Sequence, residues 1–94
     1  MAEQLHAVVH GRVQGVSFRY YTMMKAHQLG LTGWVRNQPD GTVETLAEGD
    51  RELLDAFLEF LNDGPPAARV TQVDAHWYPA SGNFFTFDVR HGYG

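Results

Sequence analysis

The sequence predicts an α+β fold, an antiparallel sheet with two helices on one face. Three observations predict it: short segments in which apolar residues alternate with period two, two segments of helical length bounded by glycine or proline, and the order in which these follow one another. Ninety-four residues with 44% hydrophobic content fit one domain spanning 1–94. A chain of this size buries roughly 60–68% of its unfolded surface on folding.

Leu5, Ala7 and Val9 alternate with His6, Val8 and His10, the pattern of a half-buried strand, which Gly11 and Gly15 interrupt. Ser17 is the N-cap expected for a helix running to about Leu29, and Gly30 supplies its left-handed terminating residue. A strand over Thr32 to Asn37, the turn Gln38-Pro39-Asp40-Gly41 and a strand over Thr42 to Glu48 read as a hairpin. Asp50 is the next expected N-cap, opening a helix whose Leu53, Leu54, Phe57, Leu58, Phe60 and Leu61 form one apolar stripe that Gly64-Pro65-Pro66 ends. Val73, Ala75 and Trp77 alternate again, and so do Phe85, Phe87 and Val89 after a polar turn. The order is βαββαβ plus a short C-terminal strand, the split βαβ or ferredoxin-like arrangement, which restricts function very little.

Composition removes several classes of function. With no cysteine there are no disulfides, thiolate metal sites or cysteine nucleophiles. The N-terminus lacks a basic start and an apolar run of signal length, and no stretch approaches the ~18 apolar residues of a membrane span, so a cytoplasmic protein is expected. The net charge of −4 weighs against nucleic acid as a partner. Its distribution is more informative: Arg12, Arg19, Lys25 and Arg36 fall in an acid-free stretch between Gln4 and Pro39, and ten of the eleven acids follow from Asp40 onward. A basic, acid-free stretch carrying a glycine loop suits an anion site, and chance segregation on a solvated surface is the alternative reading.

The segment Gly11-Arg12-Val13-Gln14-Gly15-Val16-Ser17-Phe18-Arg19 joins the first strand to the first helix. There a loop can aim several N–H groups at one point, the helix N-terminus adds roughly half a positive charge, and Arg19 offers a planar two-pronged donor. It is neither a Walker loop nor a dinucleotide fingerprint, since Gly-Lys-Ser/Thr and Gly-x-Gly-x-x-Gly are both missing. By chemistry alone it reads either as a phosphate cradle or as a glycine turn beside a surface arginine. Asn37, before a Pro-Asp-Gly turn, reads by chemistry alone as a turn former.

Gly-Arg-Val-Gln-Gly-Val-x-Phe-Arg, together with Gly33-Trp34-Val35-Arg36-Asn37-x-x-Asp40-Gly41, resembles the two signatures of the acylphosphatase family, and the resemblance covers essentially the whole chain. It implies a hydrolase that splits the carboxyl-phosphate anhydride of small acyl phosphates to a carboxylate and orthophosphate, with no metal or organic cofactor. It also implies that the loop amides of Gln14, Gly15, Val16, Ser17, Phe18 and Arg19, with the Arg19 side chain, hold the phosphoryl group. Asn37 would orient the attacking water. Two departures stand beside it: Gln38 sits where some members carry a small hydroxyl residue, and the chain continues past Arg90 as His91 to Gly94.

The remaining residues carry simpler expectations. His6 and His10, four apart on a strand and so roughly 13 Å from each other, are too far apart to share a metal and are expected to be exposed or at an edge. His27, His76 and His91 have no metal-ligand spacing either. Trp34 and Trp77 are expected in sheet packing, and Glu52, Asp55, Glu59 and Asp63 on the wet face of the second helix. An RNA-recognition module of the same element order needs aromatics on its third strand, where this chain has Thr42-Val43-Glu44-Thr45-Leu46-Ala47-Glu48. A metallochaperone needs a thiolate pair. The rivals that survive, against a free, monomeric enzyme, are a phosphate- or effector-binding regulatory domain that keeps the anion loop without turnover and an acylphosphatase-like segment of a larger enzyme.

Overall fold

Alternation along the first strand sets the two faces of the sheet. In the computed structural model, which describes residues 2–91, β1 (Ala2–Arg12) buries Leu5, Ala7 and Val9 completely and turns His6, Val8 and His10 to the other, half-exposed face. It is followed by α1 (Phe18–Leu29), β2 (Thr32–Asn37), β3 (Val43–Asp50), α2 (Arg51–Asp63), β4 (Arg69–Pro79) and β5 (Phe87–Arg90). The strands lie in the order β4-β1-β3-β2-β5. The buried faces of β1, Val35 of β2, and Val43, Thr45 and Ala47 of β3 meet Phe18, Thr22 and Ala26 of α1 and Leu54, Phe57 and Leu61 of α2. The two buried threonines are satisfied locally: Thr22 donates to the Phe18 carbonyl and Thr45 to the Trp34 carbonyl, each at 2.8 Å.

The sheet is mixed, a difference from the wholly antiparallel sheet the alternation predicts. β1, β3, β2 and β4 pair antiparallel as expected, but β5 runs parallel to β2, with Gly33 opposite Phe87 and Val35 opposite Val89. The reason is where β4 ends. Pro79 lies opposite Glu3 at the start of β1, and the start of β2 lies at that same end of the sheet through Thr32 opposite Glu48. A chain that crosses that end and continues beside β2 must run in β2's direction.

Glu48 holds this crossing. Its carboxylate accepts from the Ser81 amide (2.7 Å), the Ser81 hydroxyl (2.8 Å), the Gly82 amide (3.0 Å) and Gln4 Nε2 (2.7 Å) while the residue is buried. Burial alone would raise its pKa, but the donors from Ser81, Gln4 and Gly82 outweigh it and hold the group below the ordinary value. Beyond the crossing, Gly33 N–H donates to the Thr86 carbonyl at 2.9 Å. Gly33 itself has φ 137, and a β-carbon there would stand 1.9 Å from the Leu46 carbonyl oxygen, so only glycine fits where β2 meets β3.

Three further expectations are refined. Phe85 is 92% exposed and precedes the strand, which starts at Phe87. Within the α2 stripe the deepest residues are Leu54, Phe57 and Leu61, while Leu53 sits at its exposed margin. His6 and His10 are on the second strand of the sheet rather than at an edge, and each is engaged: His6 Nε2 lies 2.7 Å from Glu44 and His10 Nε2 lies 2.8 Å from Asp74. Trp34 packs on that same helix-free face, with the guanidinium groups of Arg90 and Arg36 at 4.7 and 5.1 Å from its ring centre. Trp77, paired with Leu5, lies on the helix side under Arg51 at 3.6 Å.

Candidate active site

Val9 and Asn37 both lie opposite Val43, so the C-terminal ends of β1 and β2 flank the beginning of β3. The β1–α1 loop passes over that end of the sheet, and a cleft of about 570 Å³ opens between the loop, the first turns of α1, Asn37 and the end of β5. Gly15, Ser17, Phe18, Arg19 and Asn37 line it, and no acidic side chain does so among the described residues.

The loop is shaped by two left-handed residues. Gly15 has φ 74 and Ser17 has φ 59, ψ 24, with Val16 between them at negative φ. Such alternation turns successive N–H groups toward one concave side, the geometry that receives an anion. Ser17 is the one described non-glycine residue at positive φ, a conformation costing about 1–2 kcal/mol for an L-residue. It occupies the predicted N-cap position but makes no side-chain cap. Its left-handed backbone aims the side chain away from the role the sequence assigns it, and no acid sits in the first turn of α1. The helix N-terminus therefore meets the cleft uncapped and carries the positive end of its dipole there.

Each predicted residue has a definite place. Phe18 splits its functions: the backbone opens α1 at the cleft, while the ring is buried and meets Phe60 at 6.4 Å. Val16 packs its side chain against the core and does not line the cleft. Arg19 lies at the cleft with Nη1 donating to the Arg90 carbonyl at 3.1 Å, which fixes the direction of the guanidinium from the last strand. Asn37 closes the opposite side. Its Oδ1 is buried and has no hydrogen-bond partner among the described residues.

Gln14 is placed differently from the expectation of a loop amide alone. Its Nε2 donates to the carbonyls of Gln38 (2.8 Å) and Thr42 (2.9 Å), fastening the loop to the β2–β3 turn. That turn is also held from within: Gln38 N–H reaches the Thr42 carbonyl at 2.9 Å, and the Thr42 hydroxyl lies 2.8 Å from Gln38 Oε1 and 2.6 Å from Asp40 Oδ1. Hydrogen bonds from the Thr42 side chain and backbone hold Asp40 below the usual carboxylate range. On the helix-free face Glu44 joins Arg36 (2.6 Å), His6 (2.7 Å) and Gln38 (3.3 Å), so both neighbours of Asn37 in sequence are anchored. Burial pushes the Glu44 pKa up, but its bonds to His6 and Arg36 prevail and lower it.

Residue patterns alone miss part of the cleft wall, formed by Val13, Tyr20, Met23, Val89 and His91. Tyr20 and Met23 are one helical turn apart on α1, and the sequence signal that could have marked this side is a tyrosine directly after Arg19, which the fold leaves 54% exposed. His91 is the described part of the C-terminal extension. Residues 92–94, to which the sequence also drew attention, lie outside the described residues.

The arrangement is a left-handed loop, an uncapped helix N-terminus, an arginine and an amide oxygen around an acid-free cleft, suited to a phosphoryl group and a water beside it. The family model for acylphosphatase matches residues 5–89. A protein of Methylococcus capsulatus described as an acylphosphatase is 52% identical over 87 residues, covering 93% of this chain and 95% of its own length. One of Acaryochloris marina with the same description is 51% identical over 85 residues, covering 90% of each chain. The crystal structure of acylphosphatase from Bacillus subtilis matches the fold with a TM-score of 0.91 at 38% identity, over 95% of this chain and 99% of that one.

Proposed function

This chain belongs to the acylphosphatase family, hydrolases acting on the anhydride bond of small acyl phosphates, and from that premise we propose how its residues divide the reaction. The phosphoryl group sits in the concavity of the Gln14 to Arg19 loop, against its amides and the uncapped end of α1. The Arg19 guanidinium spans two phosphoryl oxygens. Asn37 holds the attacking water through its amide. The observation that carries this division is the buried, unpartnered Asn37 Oδ1 at the wall of the same cleft as Arg19. A polar atom left without a protein partner in an otherwise satisfied site is suited to a partner that arrives with the substrate.

Few groups suffice because the leaving group is a carboxylate, stable enough to depart without a strong general acid. The barrier is then lowered by positioning and by stabilising charge on the phosphoryl oxygens. An amide oxygen can accept a hydrogen bond from the water and orient the water's lone pair toward phosphorus without deprotonating it. A phosphoryl oxygen of the substrate is the proton acceptor in this scheme, so no side chain acts as base. The water oxygen forms the new P–O bond, the bond from phosphorus to the carboxyl oxygen breaks, and the electron pair leaves on the carboxylate.

The same reading makes the enzyme metal-independent, monomeric and cytoplasmic, without nucleic-acid partners. Its test is hydrolysis of benzoyl phosphate by enzyme dialysed exhaustively against a chelator, followed by inhibition with orthophosphate. Full activity after dialysis and competitive inhibition by phosphate are expected. Activity that disappears and returns with zinc or magnesium, or phosphate inhibition that is not competitive, contradicts the scheme. Tight phosphate binding without any turnover would instead favour a regulatory domain.

A further inference from the structure

Two parts of the site come from different places in the chain. The loop that is to hold the phosphoryl group belongs to the β1–α1 connection, and Asn37 belongs to the end of β2. For an in-line attack their separation has to be right to a fraction of an ångström, and a misplacement of about 1 Å is enough to cost on the order of 10²-fold in rate. A surface loop and a hairpin turn do not keep such a separation unaided.

We infer that Gln14 is the positioning residue that sets this separation, tying the phosphate loop to the backbone around Asn37 and so placing the water against the phosphoryl group. Its Nε2 reaches two carbonyls, Gln38 at 2.8 Å and Thr42 at 2.9 Å. Gln38 is the residue after Asn37. Thr42 precedes Val43, the residue paired with Asn37 across the hairpin. The two contacts therefore bracket Asn37 on both sides of the turn. They also match the donor exactly in number: a primary amide nitrogen carries two hydrogens, and each finds one carbonyl. The orientation is unambiguous, because the reversed amide would set its oxygen against two carbonyl oxygens.

Each of those carbonyls already accepts a backbone bond, Thr42 O from Gln38 N–H at 2.9 Å and Gln38 O from Gly41 N–H at 3.1 Å. The turn thus closes without Gln14. What the side chain adds is the link between the turn and the loop, which is why its loss is expected to disturb catalysis more than folding. The neighbours of Gln14 point to the same division: Val13 before it is buried in the core, and Gly15 after it begins the left-handed bend. Gln14 is the residue of the loop whose side chain crosses to the other half of the site.

The inference rests on the assignment of the water to Asn37, and the test separates the two. It is a double-mutant cycle of Gln14→Met and Asn37→Ala, measuring kcat on benzoyl phosphate, orthophosphate Kd by calorimetry, and folding by circular dichroism. Methionine keeps the length of glutamine and removes the donors. In the wild-type background Gln14→Met should lower kcat by roughly 10- to 100-fold with Kd changed by no more than about threefold. In the Asn37→Ala background, where no water is left to place, the same substitution should cost no more than about threefold. Equal losses in both backgrounds, or a phosphate affinity that falls in step with kcat, overturn the inference. An Asn37→Ala variant with wild-type turnover overturns the assignment of the water and the inference with it. Gln14→Glu gives a second readout should the methionine variant fold poorly. Its carboxylate would face two carbonyls, so kcat should fall further near pH 7 and recover relative to wild type as the pH is lowered and the group is protonated to a donor. A ratio independent of pH contradicts the clamp.

Discussion

The two helices lie side by side on one face of one sheet, yet they are built by different rules. α2 sets Leu54, Phe57 and Leu61 into the core and turns Glu52, Asp55, Glu59 and Asp63 to water, and its first turn carries an acid, Glu52, that complements the helix dipole within the chain. α1 buries Phe18, Thr22 and Ala26, a smaller and partly polar stripe, and leaves Tyr20, Tyr21 and Met24 exposed. It starts from a left-handed serine with no acid in its first turn. The positive end of α2 has Glu52 beside it, although its N-cap Asp50, like Ser17 of α1, makes no side-chain cap. That of α1 has no acid beside it and opens on the cleft. The helix with the weaker apolar stripe is the one that lines the candidate site, as expected where a local departure from folding preference serves a ligand.

If this contrast is right, damage to the two helices should appear in different measurements. The largest expected effect is that of Arg19→Gln, which should lower kcat/KM on benzoyl phosphate by on the order of 10³-fold or more, as for other guanidinium groups that stabilise a transferring phosphoryl, while Tm stays close to wild type. Leu54→Ala should do the reverse. Removing a fully buried leucine should cost about 2–5 kcal/mol in denaturant unfolding, with kcat of the folded protein unchanged. Arg19→Gln that destabilises as much as Leu54→Ala, or Leu54→Ala that slows turnover of folded enzyme, would dissolve the distinction.

A smaller effect concerns Glu48, which is absent from the cleft wall and holds the far end of the sheet. Glu48 has a folded pKa below its unfolded value, so its contribution to stability is complete above about pH 5 and is lost as the pH falls through the lower folded value. Exchanging the carboxylate for the amide in Glu48→Gln should cost on the order of 1–3 kcal/mol near pH 7, and the variant should lose less Tm than wild type between pH 5 and pH 3 (about the range in which carboxylates titrate). Parallel pH profiles for the two proteins would show that the crossing held by Glu48 contributes nothing.

The contrast between the helices also explains what could be read in advance. α2 announces itself through periodic leucines and phenylalanines, whereas α1 is legible mainly by its flanks, Ser17 and Gly30. β2 is predicted to the residue, because glycine and the Pro-Asp-Gly turn bound it. Arg19 and Asn37 stand out through the two motifs, and both line the cleft. What escapes are the contacts made to backbone carbonyls far along the chain: Arg19 on Arg90, Gln14 on Gln38 and Thr42. A carbonyl is the same in every residue and leaves no mark in a sequence. The parallel β5 escapes for a related reason, since strand alternation shows which side chains turn inward but not which neighbour the strand joins. Ser17 is foreseen at the right position with the wrong role, because positive φ is ordinarily signalled by glycine or asparagine.

Whether Arg19 holds the phosphoryl group throughout while Asn37 acts on the water is decided by measuring orthophosphate Kd and kcat together for Asn37→Ala. A ligand to phosphate contributes to substrate, product and transition state alike, whereas a group that positions water contributes chiefly in the transition state. The account predicts a fall in kcat on the order of 10²–10³-fold, as for other single positioned amides, with orthophosphate affinity within about threefold of wild type. A Kd that worsens as severely as in Arg19→Gln, with the fold intact, would make Asn37 a phosphate ligand and contradict the account.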